Sequence, residues 1–254
     1  MTALSREAMM TVLSQDQVRK FREEGYVLPE AQVFDEAEFQ ELLGIFEEDL
    51  DRYGEEDLDV MHERDARLFK FLLHDAVLDL IQPLVGSDIG LWSSHFISKP
   101  PYIGRETPWH EDAAYWNGRM DNWESVLTVW VALDPVDTDN GCMRVVPGSH
   151  LTPFSQYEEA DTATALFDRK IIEGSVEEEQ VVNFVLEPNH CSIHDVRIIH
   201  GAKANTSDRR RAGYTMRYFS TASRVIPEKN VGHPIWLARG EDRAGNPFQP
   251  MLDR

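Results

Sequence analysis

The strongest constraint on the fold of this chain comes from Trp109-His110-Glu111-Asp112, because a second histidine, His200, lies far downstream and Arg211 follows it. Two imidazoles and one carboxylate form a facial triad, which holds a non-haem Fe(II) on one side and leaves positions open for substrate and dioxygen. In an extended segment, side chains alternate faces, so His110 and Asp112 point one way and Glu111 the other. Glu111 is therefore expected to brace a neighbouring strand or loop. Neutral imidazole and carboxylate suit ferrous iron, whereas tetrahedral zinc more often draws on thiolates or a third histidine. Cys142 and Cys191 show no ligand-like spacing. His200 ends the β-rich segment from Cys191 to Ile199, which is expected to run antiparallel near the first pair. The pattern points to an oxygenase.

Arg211 adds a group that a metal alone does not explain. A planar, permanently charged guanidinium pairs bidentately with a carboxylate, which is what an iron enzyme using a keto-diacid must grip at the far end of that molecule. It opens a run to Ser220 with good β-propensity, whose alternation puts Arg211, Gly213, Thr215 and Arg217 on one face. Arg211 and Thr215 then share a pocket, while Arg209 and Arg210 read as a solvated basic turn.

Along the chain, helices come first. Ser14 with Gln17 has the form of a capping box and Gly25 is placed to end that helix. Phe39, Leu42, Leu43, Phe46 and Leu50 recur at helical spacing in a helix from Asp35 to Tyr53, and a third is expected from His74 to Val85. After Gly86 come short β-rich runs separated by Pro, Gly, Asn and Asp, as in an antiparallel barrel or jelly roll. Thr152 to Glu179 has little strand character and reads as a lid or binding loop. The stretch from Ser223 to Arg254 reads as an extended tail over the barrel mouth or against a partner subunit.

Four blocks, Leu13 to Val27, Trp109 to Trp116, Asn140 to His150 and His200 to Tyr218, resemble the phytanoyl-CoA dioxygenase family of Fe(II)/2-oxoglutarate-dependent oxygenases. The resemblance implies a mainly β fold with N-terminal helices around a double-stranded β-helix core of jelly-roll, cupin-like type. It implies one dioxygenase domain over 1–254, with a helical part to about 86, a β core to about 222 and a C-terminal extension. It further implies iron held by His110, Asp112 and His200, with 2-oxoglutarate tied by Arg211 and Trp130 beside it. The position two after the distal histidine, commonly a serine in this family, is Ala202 here. Related halogenases replace the ligand carboxylate with a small residue, so Asp112 points to hydroxylation or a similar oxidation. Trp109 to Trp116 is similar to the iron-binding segment of ectoine hydroxylases, which makes Trp116 the first candidate to face substrate. His194, placed on the face of His200 by alternation, and His95, in the expected strand Leu91 to Lys99, are candidates for the same cavity. His62, His74, His150, His190 and His233 read as structural or exposed.

Composition narrows the partners. A formal charge of −20 opposes binding to a phosphate backbone, so nucleic acid is not an expected ligand. The longest strongly apolar run, Val126 to Leu133, is much too short to cross a bilayer. Two cysteines fit a reducing cytoplasm rather than a disulfide scaffold. The expected reaction consumes 2-oxoglutarate and dioxygen at Fe(II), releases succinate and CO2, and oxidises a small-molecule substrate. Two other readings stay open at this stage: a cupin-like metalloenzyme without a keto-acid cosubstrate, and a non-catalytic barrel that binds a metal or metabolite.

Overall fold

The computed structural model describes residues 12–172 and 174–250. Residues 1–11 of the expected helical part, Glu173 of the long acidic segment and residues 251–254 of the extension lie outside the described residues. Helix α1 (Gln15–Glu24) starts where Ser14 and Gln17 exchange side-chain and backbone hydrogen bonds, and it stops at Gly25 with φ 83°. A Cβ at Gly25 would lie 2.6 Å from His150 Nδ1, so the left-handed turn and the ring beside it both select glycine. Strand β1 (Tyr26–Val27) follows directly. Helix α2 (Glu36–Tyr53) is capped by Asp35 and buries Phe39, Leu42, Ile45 and Phe46, the apolar face expected from the sequence. After a short α3 (Phe69–Leu72), the His74 ring caps α4 (Asp75–Val85) by accepting the Ala76 amide.

The remainder is mostly strand: β2 (Ile89–Lys99), β3 (Thr107–His110), the short helix α5 (Asp112–Tyr115), β4 (Val126–Ala132), β5 (Met143–Val145), β6 (Tyr157–Glu159) and β7 (Arg169–Ile171). Then come β8 (Val182–Asn183), β9 (Cys191–Asp195), β10 (His200–Ala202), β11 (Arg211–Ser220), β12 (Ile235–Arg239) and β13 (Phe248–Gln249). Seven strands form one sheet in the order β1-β9-β4-β11-β2-β12-β13, and four form a second in the order β3-β10-β5-β8. All of these pairings are antiparallel except that of β12 with β13.

Both faces of the large sheet are covered, which is why β4 is buried at every residue. On one face Leu127, Val129, Val131, Ile193, Tyr214 and Met216 pack under the helices with Phe39, Leu42 and Phe46. Removing each such side chain from water contributes about 1.5–3 kcal/mol, which holds the helices to the back of the sheet. On the opposite face Trp130 and Ala132 meet Met143 and Val145 of the small sheet. The result is a two-sheet jelly roll backed by helices, and polar side chains of β4, β9 and β11 point between the sheets.

Three expectations need correction. The segment from Cys191 to Ile199 is not one strand leading to His200. Asp195 accepts hydrogen bonds from the Arg197 backbone and guanidinium, closing a turn that puts β9 in the large sheet and β10 in the small one. The long segment after Thr152 contains a hairpin of β6 and β7, whose short strands pair with each other. The C-terminal stretch is not merely extended: β12 adds to the free edge of β2, and β13 adds to β12.

Candidate metal centre

His200 pairs directly with His110 across β10 and β3, so strand register alone brings the two imidazoles together. Their ring centroids are 4.0 Å apart. Asp112 is the first residue of α5, but Glu111 before it keeps an extended backbone (φ −113°, ψ 129°), so the alternation of side chains persists from His110 to Asp112. One ligand atom from each of His110, Asp112 and His200 lies within 4.8 Å of the others, and all three residues are buried.

Backbone carbonyls set the direction of both rings. His110 Nδ1 lies 2.8 Å from Pro108 O and His200 Nδ1 lies 3.0 Å from Ile198 O, so each Nδ1–H donates and each Nε2 keeps its lone pair for the centre. Burial, then neighbouring His200, pushes the His110 ring down to about 3, which keeps it neutral and able to ligate. Burial acts against ionisation of Asp112, but Arg217 and then the histidines outweigh it and hold the carboxyl below its ordinary range. Arg217 Nε donates to Asp112 Oδ2 at 3.1 Å. Two imidazoles whose Nε2 atoms face the centre and one ionised carboxylate are a donor set that fits a divalent iron.

Arg211 enters from β11. It is buried, its guanidinium carbon lies 4.6 Å from the Trp130 ring centroid, and its Nε has no hydrogen-bond partner among the described residues. Thr215 Oγ1 is likewise buried and unpaired. Such orphaned donors are rare in folded interiors and call for an explanation. An anionic cosubstrate with carboxylate oxygens fits them. Gly213 lies between the two on the same face, and a Cβ there would stand 1.9 Å from Trp130 Cζ2, so the missing side chain is what lets the indole cross β11.

The three residues expected on the substrate side occupy different places. His95 Nδ1 is 2.8 Å from Arg217 Nη1, and burial followed by Arg217 pushes its ring down to about 3. Trp116 lies under the Arg217 guanidinium at 4.9 Å and packs with Trp92 and Trp123. His194 is buried in β9 with its ring 5.1 Å from that of His200 and its Nδ1 unpaired. It reaches His200 across the gap between the sheets, not along a shared strand face. Glu111 points away from the triad and accepts from Ser155 N and Oγ at 2.9 and 2.8 Å and from the Tyr157 hydroxyl, which ties the β6–β7 hairpin to the ligand segment.

Sequence reasoning gave no role to Arg217, although the alternation that singled out Arg211 also reaches it. Phe167, whose ring stands 4.8 Å from His110, had no local signal, because only the docking of the hairpin puts it there. The five remaining histidines sit in structural settings such as the His62–Ser94 contact and the tilted packing of His233 against Trp92. A cavity of about 150 Å³ beside β5 and β8, lined by Cys142, Arg144, Glu178 and Lys203 among others, includes none of the triad residues.

Comparison with known proteins agrees with this geometry. The family model for phytanoyl-CoA dioxygenase (PhyH) matches residues 10–213. The peroxisomal phytanoyl-CoA dioxygenase of Mus musculus is 24% identical over 75% of this chain and 58% of its own length, and that of Bos taurus is 30% identical over 38% and 29%. The chain thus spans less than two thirds of the length of these relatives. Among solved structures, the non-heme monooxygenase ThoJ superposes with a TM-score of 0.74 at 26% identity, covering 93% of this chain and 88% of ThoJ. The α-ketoglutarate-dependent carbocyclase SnoK from nogalamycin biosynthesis gives 0.69 at 26% identity, covering 87% and 89%. Among the described residues, no helix is long and apolar enough to cross a membrane. With the family model covering most of the sequence and the triad assembled where its blocks fall, the chain belongs to the phytanoyl-CoA dioxygenase family.

Proposed function

We propose that this protein is an Fe(II)- and 2-oxoglutarate-dependent dioxygenase that hydroxylates a C–H bond of a small metabolite or natural-product intermediate, converting 2-oxoglutarate to succinate and CO2. The observation that carries this reading is the meeting of His110, Asp112 and His200 beside a buried Arg211 whose Nε has no partner. A cupin-like enzyme without a keto acid gives no reason to bury an unpaired guanidinium, so the cosubstrate reading is preferred.

In this proposal His110 Nε2, His200 Nε2 and one Asp112 oxygen hold the iron, which when bound supplies dioxygen activation coupled to keto-acid decarboxylation. Arg211 receives the distal carboxylate of 2-oxoglutarate, with the Trp130 face behind it and the Thr215 hydroxyl as a second donor. Ala202 has no side-chain hydroxyl, so Arg211 and Thr215 carry that contact. His95 and Trp116 line the substrate side, while His194 backs His200. Phe167 and the hairpin held by Glu111 shield the centre from water. ThoJ, a non-heme monooxygenase, and SnoK, an α-ketoglutarate-dependent carbocyclase, are similar to this chain in fold, which supports an oxidation of this kind without fixing its product.

The test is direct. Purified protein loaded anaerobically with Fe(II) and then given 2-oxoglutarate and dioxygen should release succinate slowly without substrate, and faster with the right one. Asp112→Ala should abolish the release. Wild-type protein that binds neither iron nor 2-oxoglutarate rules the proposal out.

A further inference from the structure

Arg217 stands where three parts of the site meet. Its Nε donates to Asp112 Oδ2 at 3.1 Å, its Nη1 lies 2.8 Å from His95 Nδ1, and its guanidinium carbon lies 4.9 Å from the Trp116 ring centroid. A guanidinium offers donors only. The short Nη1 contact therefore makes His95 Nδ1 an acceptor, and a neutral imidazole accepting there carries its hydrogen on Nε2. Asp59 Oδ1 stands 3.8 Å from the same nitrogen, too far to compete for it as a hydrogen-bond acceptor. The hold on Asp112 is asymmetric. Oδ2 is taken by Arg217 Nε at 3.1 Å, with Thr128 Oγ1 at a long 3.5 Å, whereas Oδ1 meets Arg217 only through an equally long 3.5 Å contact to Nη2 and lies 3.8 Å from His110 Nε2.

We infer that Arg217 is a positioning residue that turns a single oxygen of Asp112 toward the metal and at the same time fixes His95 as an Nε2–H donor on the substrate side. The inference rests on the iron reading above and narrows the substrate class: the substrate presents a hydrogen-bond acceptor, a carbonyl or hydroxyl oxygen, to His95. A cation so close to a ligand also repels a divalent metal, so the two effects of Arg217 on metal affinity oppose each other. Orientation wins if this residue behaves like other partners that orient metal ligands, whose loss weakens binding roughly 10- to 100-fold.

Two measurements decide it. The first is the nitrogen NMR spectrum of histidine-labelled, Zn(II)-loaded wild-type protein, which reports the tautomer of His95 directly. The expected result is a single form with the hydrogen on Nε2, and a hydrogen on Nδ1 overturns the inference without any variant having to fold. The second is titration with Co(II), followed by its visible spectrum. Arg217→Met is expected to bind Co(II) roughly 10- to 100-fold more weakly and to lose the single-tautomer signature of His95. Arg217→Lys keeps the charge but reaches only one of the two partners, so it should lose that signature as well. Unchanged or tighter Co(II) binding by Arg217→Met defeats the positioning role, and full recovery of both readouts by Arg217→Lys defeats it by showing that charge alone matters. Failure of wild-type protein to bind any metal would sink the iron reading, and the Asp112 half of this inference with it, whereas a wrong His95 tautomer sinks the inference alone.

Discussion

Replacing Arg211 by Met should make the metal- and ligand-free protein more stable while removing its cosubstrate site. Burial pushes the Arg211 guanidinium down to about 10 from an ordinary 12.5. Each tenfold change in proton affinity corresponds to about 1.4 kcal/mol, so keeping this charge inside the fold costs about 3 kcal/mol. Packing over the Trp130 ring returns up to about 2 kcal/mol through the cation–π contact. A methionine fills a similar volume without a charge, leaving a net gain of about 1–2 kcal/mol. At about 2–4 °C per kcal/mol for domains of this size, calorimetry should record a rise of a few degrees in Tm. Binding should move the other way. Truncating one side of a buried, hydrogen-bonded charge pair costs about 2–5 kcal/mol, so 2-oxoglutarate affinity in the metal-loaded, anaerobic protein should fall by a factor of about 30 or more. Excess 2-oxoglutarate, at about 100 times the wild-type Kd, should stabilise wild type by about 2.7 kcal/mol and the variant by about 0.9 kcal/mol or less. A variant that is less stable than wild type and still binds 2-oxoglutarate equally well refutes the argument that Arg211 is held unpaired for this ligand.

Other expectations follow from single residues. Gly213→Ala puts a Cβ 1.9 Å from Trp130 Cζ2, so denaturant melts should show a loss of about 1–3 kcal/mol, and 2-oxoglutarate affinity should fall as the indole is displaced. Glu111→Ala frees Ser155 and the Tyr157 hydroxyl, so limited proteolysis should cut near the β6–β7 hairpin faster than in wild type, and equal cutting rates would show that the carboxylate does not hold the hairpin. Burial, with a smaller push from His233, lowers His62 to about 4 from 6.5, so the unfolded chain takes up this proton first. Its contribution to stability is therefore present above about pH 6.5 and is lost as pH falls toward about 4. His62→Phe should flatten the pH dependence of stability in that window by up to one proton, measured by denaturant melts across it.

Much of this protein was legible before any coordinates. The caps of α1 and α2 were readable because Ser14 with Gln17 and Asp35 with Glu38 act within one helical turn. The face of β11 that carries Arg211, Gly213 and Thr215 was readable because strand alternation is local, and the alternation from His110 to Asp112 survived even though the strand ends at His110. What the sequence could not decide depends on pairings between remote segments. The turn at Asp195 sends β9 and β10 into different sheets, which alone makes His194 and His200 face one another across the interior. The strands β6, β7, β12 and β13 are only two to five residues long, too short to stand out in the sequence, and each forms against a strand partner. The chain by itself determined which side chains can ligate, cap or alternate, since those properties are set within a few residues. Tertiary structure decided that Arg217 joins Asp112 to His95 and that Phe167 covers His110, because both contacts form only after the sheets have closed and excluded water.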